Sequence, residues 1–327
     1  QSRGAFHQDI MISIGRCWVW IADQRLWRLR CSILWMLPAF AAMTNSAAAS
    51  PAVHVMPFSK NELRAHAVVL KGKSPRDEIW AYIYEPPVAG KDTPLVLILP
   101  ILGAPNLWIE EQFAVAMAQR GMASAILFFP QQFHRRSFLE VTSGFLFLGR
   151  STATLAGNFT QSVADVESFL DWLAGPGQEY FAGTFDVKRT AILGTSLGSL
   201  IGSVVMAHDK RIKAGVFLLS GSDPAWIVSQ GSLTKKMARK LGIGYEDLLG
   251  PLAPFDLSRQ EVDWGGRPVL LVDAIWDTII PKVSRKKLKS AIPHAKVISV
   301  PAAHYTSLLH MFWIKGSAAK FLAENLQ

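Results

Sequence analysis

Short, continuously apolar segments that alternate with segments of helical period constrain this chain more than any other feature. Leu95-Val96-Leu97-Ile98-Leu99 is apolar without interruption and stops at Pro100, the mark of a strand covered on both faces. Similar runs predict strands at 123–129, 190–193, 214–219, 268–272 and 296–300. Between them the period predicts helices at about 107–120, 152–173, 197–208, 284–291 and 308–326. In the second of these Phe159, Val163, Val166, Phe169, Leu170 and Leu173 share one face. Alternation of this kind argues an α/β chain with a mostly parallel central sheet flanked by helices. Ahead of it, 65–70 and 78–84 read as an antiparallel pair of strands, and 51–63 as an extended arm.

Half of the 327 residues are apolar, enough for the sizeable core of one large domain, expected over 51–327. The first 50 residues are different. Arg25, Arg28 and Arg30 precede an apolar run from Ser32 to Met43, and the small residues Thr44-Asn45-Ser46-Ala47-Ala48-Ala49 follow. Basic, apolar and small-residue parts in that order are the layout of a secretory signal, with cleavage expected near Ala49; an uncleaved anchor is the alternative. Export implies a secreted or periplasmic protein with no stable membrane insertion after cleavage. The formal charge of +9 includes five Arg from this leader, against only Asp9 and Asp23; beyond it, 29 basic residues face 23 acidic ones. That mild excess, and the basic groups Lys235, Lys236, Arg239, Lys240 and Arg285, Lys286, Lys287, Lys289, read as solvated helix faces; nucleic-acid binding is not expected. Cys17 and Cys31 both lie in the leader, so the remainder is expected to hold no disulfide and no Cys-ligated metal. With no HExxH or comparable cluster, neither a metal nor another cofactor is expected.

The chemistry gathers at Gly194-Thr195-Ser196-Leu197-Gly198, where an apolar run passes into a helix. GxSxG between strand and helix forces its Ser into a strained turn, and the two glycines let neighbouring backbone approach. Ser196 is the candidate nucleophile. A hydroxyl needs a positioned base, and the base needs a carboxylate that fixes its tautomer. Of the eight His, His304 follows the last predicted strand through Pro301-Ala302-Ala303 and is the candidate base. His310 reads as a residue of the closing helix, and His7, His54, His66, His134, His208 and His294 fall in the leader, an insertion, or beside strands and helix ends. For the acid, Asp277 lies well past strand 268–272, while Asp223 and Asp273 are reserve choices, in that order. Attack on a carbonyl also creates an oxyanion that needs aimed backbone donors. The Leu197 amide is one; the other belongs to the turn after 95–99, with Leu102 first and Ile101 second, Pro100 having no N–H.

With these residues in place, the chain from about residue 65 resembles the α/β-hydrolase family. Gly194 to Gly198 is similar to the family's nucleophile elbow, Asp277-Thr278-Ile279-Ile280-Pro281 to its DxxVP acid loop, and His304-Tyr305-Thr306 to its His after the last strand. Pro254-Phe255-Asp256-Leu257 before Arg267-Pro268-Val269-Leu270-Leu271 resembles secreted, esterase-like members. The chain departs from the family at Pro100-Ile101, where many members have His-Gly, so an amide further along the turn is the expected second donor.

The resemblance implies an α/β-hydrolase fold and an exported serine hydrolase that cleaves a small-molecule carboxylic ester through an acyl-enzyme on Ser196. An acyltransferase, a thioesterase or a non-catalytic ligand-binding member are the alternatives. Two segments interrupt the alternation: 131–150, rich in Phe, and 222–266, between the sixth and seventh predicted strands. The second is read as a lid over the site or, equally, as a plain connection. Trp108, Phe128, Phe129, Phe133, Trp226 and Trp276 are candidate aromatic pocket residues, with core packing the favoured reading of any single one.

Overall fold

The computed structural model describes residues 53–72, 77–103, 105–138 and 142–326. The expected leader, its cleavage point and both cysteines lie outside the described residues.

Nine strands form one sheet among the described residues: β1 Val53–Lys60, β2 Leu63–Leu70, β3 Ile79–Tyr84, β4 Pro94–Leu99, β5 Ala123–Leu127, β6 Asp186–Thr195, β7 Ile212–Leu218, β8 Val269–Ala274 and β9 Lys296–Val300. Their spatial order is β1-β2-β3-β5-β4-β6-β7-β8-β9. The first three strands and the β3–β5 pairing are antiparallel, and every later pairing is parallel. The helices are α1 Trp108–Ala118, α2 Ser143–Leu148, α3 Thr152–Ala174, α4 Gln178–Phe181, α5 Leu197–His208, α6 Pro224–Gln230, α7 Lys235–Lys240, α8 Tyr245–Leu252, α9 Lys282–Ala291 and α10 Met311–Asn325.

The two faces of the sheet explain the uninterrupted runs. Leu95, Leu97 and Leu99 of β4 pack with Phe159, Val166 and Phe169 of α3 and Ile201 and Val205 of α5 on one face. Val96 and Ile98 pack with Phe113 and Met117 of α1 and Ala318 and Leu322 of α10 on the other. Side chains alternate across a strand, so a strand covered on both faces must be apolar at every position. Each such Leu or Val, fully buried, contributes roughly 1.5–3 kcal/mol.

The arm expected at 51–63 is instead the edge strand β1, paired with β2 from Val53 opposite Leu70 to Lys60 opposite Leu63. Its turn, Asn61-Glu62, has φ of 53° and 63° at successive residues, the geometry of a tight hairpin, but carries no glycine. With Met56, Ser59 and Lys60 exposed, β1 has no buried apolar face to announce it. The closing helix begins later than its period suggests: Thr306–His310 is a 3₁₀ turn, and α10 starts at Met311. The insertion 222–266 lies between β7 and β8 and is built of α6, α7, α8 and two 3₁₀ turns.

Candidate active site

The elbow takes its shape from close backbone packing. Ser196 has φ 54° and ψ −111°, a conformation costly for a residue with a side chain. A Cβ on Gly194 would collide with the Gly198 carbonyl, and one on Gly198 with the Leu99 carbonyl at the end of β4. Those collisions explain the spacing of GxSxG here. Ser199 braces the turn: its Oγ lies 2.5 Å from the Gly194 oxygen and 2.8 Å from the Leu218 oxygen, and it accepts from the Leu218 N–H at 2.8 Å. The Ser196 N–H donates to Leu218 O at 2.9 Å.

Three residues far apart in sequence meet above the sheet. His304 Nε2 is 3.1 Å from Ser196 Oγ, and His304 Nδ1 is 2.7 Å from Asp277 Oδ2. The Asp277 side chain is fully buried, and its Oδ1 accepts from the N–H groups of Ile279 and Ile280, both at 2.9 Å. Turning the carboxylate would break those two bonds as well as the one to His304. The acid and His loops are tied to each other, since Trp276 N–H donates to Ala302 O at 2.9 Å. Ser307 Oγ donates to His304 O at 2.6 Å. A carboxylate on one ring nitrogen and a hydroxyl on the other is the arrangement in which imidazole can take a proton from the hydroxyl.

The reserve acids are engaged elsewhere. Asp273 pairs with Arg285 at 2.6 Å and Lys289 at 2.7 Å. Asp223 accepts from Trp226 N–H at the start of α6 and from Tyr245 OH, and pairs with Lys287 at 2.5 Å. Several of the other histidines are also accounted for: His66 meets Glu85 at 2.7 Å, His208 meets Gln260 at 3.0 Å, His294 meets the Arg267 carbonyl at 3.0 Å, and His134 packs on Trp80.

Ser196 and His304 open onto a cavity that also touches Leu197, Ile101 and Leu102, with no Asp, Glu, Lys or Arg among its lining residues. Its walls come from Phe113 of α1, Phe147 and Leu148 of α2, Phe159 of α3, Leu200 of α5, and Ile227, Val228 and Leu233 of the 222–266 insertion. None of the six candidate aromatic residues lines it. Phe128 and Phe129 are buried in the core, Phe133 packs against Phe128, and Trp226 against Tyr245, while Trp108 and Trp276 are exposed. The lining is largely aliphatic, and such side chains leave no mark that separates a cavity wall from ordinary core.

Two polar residues near the site escaped sequence reasoning. Glu110, in the first turn of α1, accepts from the Ile101 N–H at 3.2 Å, and Gln132 Nε2 donates to the Ile101 carbonyl at 2.9 Å. Burial, the largest influence, lifts the Glu110 carboxyl to about 7, opposed by its backbone hydrogen bonds and aided by the neighbouring Glu111 charge. The one sequence signal was a pair of carboxylates, Glu110-Glu111, in the first turn of a helix that is apolar from Phe113 on, and it reads as ordinary helix-start chemistry. Among the described residues no group of three or more His, Cys, Asp or Glu could hold a metal ion, and no helix is long and apolar enough to cross a membrane.

No protein-family model and no curated protein matches the chain. Solved structures do. A cold-adapted esterase from an Arctic intertidal metagenomic library is 17% identical with a TM-score of 0.57, the match covering 83% of this chain and 97% of that one. An S-formylglutathione hydrolase from Agrobacterium tumefaciens is 14% identical at TM-score 0.57, covering 84% and 99%. An acetyl xylan esterase from Paenibacillus sp. R4 is 16% identical at TM-score 0.58, covering 81% and 88%. At such identities the likeness is one of fold, and the expected α/β-hydrolase fold is borne out.

Proposed function

We propose that the chain is a serine hydrolase of carboxylic esters with an apolar acyl group. The observation that carries this reading is the unbroken line from Asp277 through His304 to Ser196, ending in a cavity with no charged lining residue. Ser196 Oγ attacks the ester carbonyl while His304 Nε2 takes its proton, and Asp277 holds the ring and stabilises the imidazolium. Backbone amides of Leu197 and the β4 turn receive the oxyanion. Leu197 opens α5, so its N–H has no acceptor in a preceding helical turn. The alcohol leaves with the proton from His304, and water, activated by the same imidazole, releases the acid from the Ser196 ester.

An uncharged, largely aliphatic cavity favours alkyl over charged acyl groups, because a buried unpaired charge would be strongly disfavoured there. The names of the fold neighbours, esterases and an S-formylglutathione hydrolase, support acyl transfer to water from an ester or thioester. Residues 1–50 add export to the proposal, which fractionation and amino-terminal sequencing of the mature protein would test.

Turnover of an ester series of increasing acyl length, with water and alcohols compared as acceptors, should show hydrolysis by the wild type. A loss of about 10⁴-fold or more is expected in Ser196→Ala. Turnover retained in that variant would overturn the acyl-enzyme, and preferential transfer to alcohols would make the protein an acyltransferase.

A further inference from the structure

The turn after β4 supplies the second oxyanion donor in the hydrolase reading, and its amides are not equivalent. Pro100 has no N–H. The Ile101 N–H is occupied by Glu110 Oε1 at 3.2 Å. The Leu102 N–H has no acceptor among the described residues, and Leu102 lines the cavity together with Ser196 and Leu197.

Two buried side chains grip this turn. Gln132 Nε2 donates to the Ile101 carbonyl at 2.9 Å, and its Oε1 accepts from the Phe129 N–H, just beyond β5, at 3.0 Å. Both ends of that amide are therefore fixed. The Ile101 carbonyl and the Leu102 N–H belong to one planar peptide unit, in which they point in opposite directions. Whatever holds the carbonyl therefore aims the N–H. Glu110 holds the N–H of the preceding peptide, so two successive planes are each pinned by one side chain. Only one oxygen of Glu110 is used, since Oε2 is buried without a hydrogen-bond partner among the described residues. A buried carboxyl with a single acceptor bond is a costly way to fill space.

We propose that Gln132 and Glu110 are positioning residues that clamp Ile101 and so present the Leu102 amide as the oxyanion donor opposite Leu197. The inference rests on the hydrolase reading above. Oxyanion stabilisation depends on donors already aimed before the reaction, so a loosened peptide plane weakens transition-state binding and leaves ground-state ester binding intact.

The test uses the full chain with Gln132→Met and Glu110→Met, which keep side-chain length, beside Glu110→Gln, which keeps an acceptor. Each is measured for kcat, KM, melting temperature and inhibition by an alkyl trifluoromethyl ketone, whose adduct with Ser196 places an oxyanion in the same position. The Met variants should lose about 10–100-fold in kcat with KM within about two-fold, and their inhibition constants should rise by the factor by which kcat/KM falls. Glu110→Gln should stay within about three-fold of wild type. If Gln132→Met fails to fold, Glu110→Met carries the test, with Glu110→Gln as its rescue. The clamp is overturned if folded variants keep wild-type kcat, or lose kcat with no change in ketone affinity. Those results beside an inactive Ser196→Ala leave the hydrolase reading standing; turnover retained in Ser196→Ala removes both.

Discussion

The turns after β6 and after β4 face one cavity but are held in different ways. The elbow after β6 is shaped by the absence of two Cβ atoms, at Gly194 where Gly198 packs close and at Gly198 where the end of β4 packs close, and by Ser199 bonded to both adjoining strands. The β4 turn carries no comparable local device at Ile101. Its peptides are gripped by Glu110, nine residues on, and Gln132, thirty-one residues on. A turn made by steric exclusion leaves a motif in the sequence; a turn made by distant side-chain hydrogen bonds leaves almost none.

The contrast can be broken at either turn. The largest expected effect is at the elbow, where the added methyl of Gly198→Ala meets the Leu99 backbone and cannot be relieved by a rotamer change. It should cost more than about 3 kcal/mol in urea unfolding, and an unchanged midpoint would show that the approach is not tight. At the β4 turn the cost lies in a carboxyl raised from its ordinary 4.5 to about 7. Folded Glu110 holds its proton more tightly than the unfolded chain does. Its contribution to stability is therefore fully present below pH 4.5 and is lost as pH rises to about 7. Relative to wild type, Glu110→Gln should gain about 3 kcal/mol between those limits and nothing more above them. A difference that stays flat with pH would mean that the carboxyl is not held in a raised state. The smallest effect is Ser196→Gly, which removes the side chain from its positive-φ position and should raise stability by about 1 kcal/mol while abolishing turnover. A fall in melting temperature would show that the elbow stores no strain.

How much could be read in advance follows the same division. β4, the inner half of β6 and most of β8 were legible because burial on both faces demands apolar residues in succession, and α3 because its apolar stripe repeats at the helical period. β1 was not, since an exposed edge strand needs no apolar face, and its hairpin uses Asn61-Glu62 without glycine. Ser196 and His304 could be singled out, and Asp277 ranked ahead of Asp223 and Asp273, because the order of strands tells where loops converge. The choice among Asp277, Asp223 and Asp273 turns on which carboxylate reaches His304. The structure places Asp277 there and gives the other two to lysines and an arginine. The aromatic candidates for the pocket were chosen because large rings are conspicuous in sequence, whereas Leu102, Leu148, Leu200 and Ile227, which do line the cavity, look like any core residue.

By itself the sequence determined the layered α/β architecture and the elbow, since side-chain period and the spacing of glycines around a serine are written there directly. Tertiary structure alone decided what fills the cavity wall and how Ile101 is gripped. Those depend on side chains brought together from separate elements, and hydrogen bonds between them are set by position in space and leave no spacing in the chain.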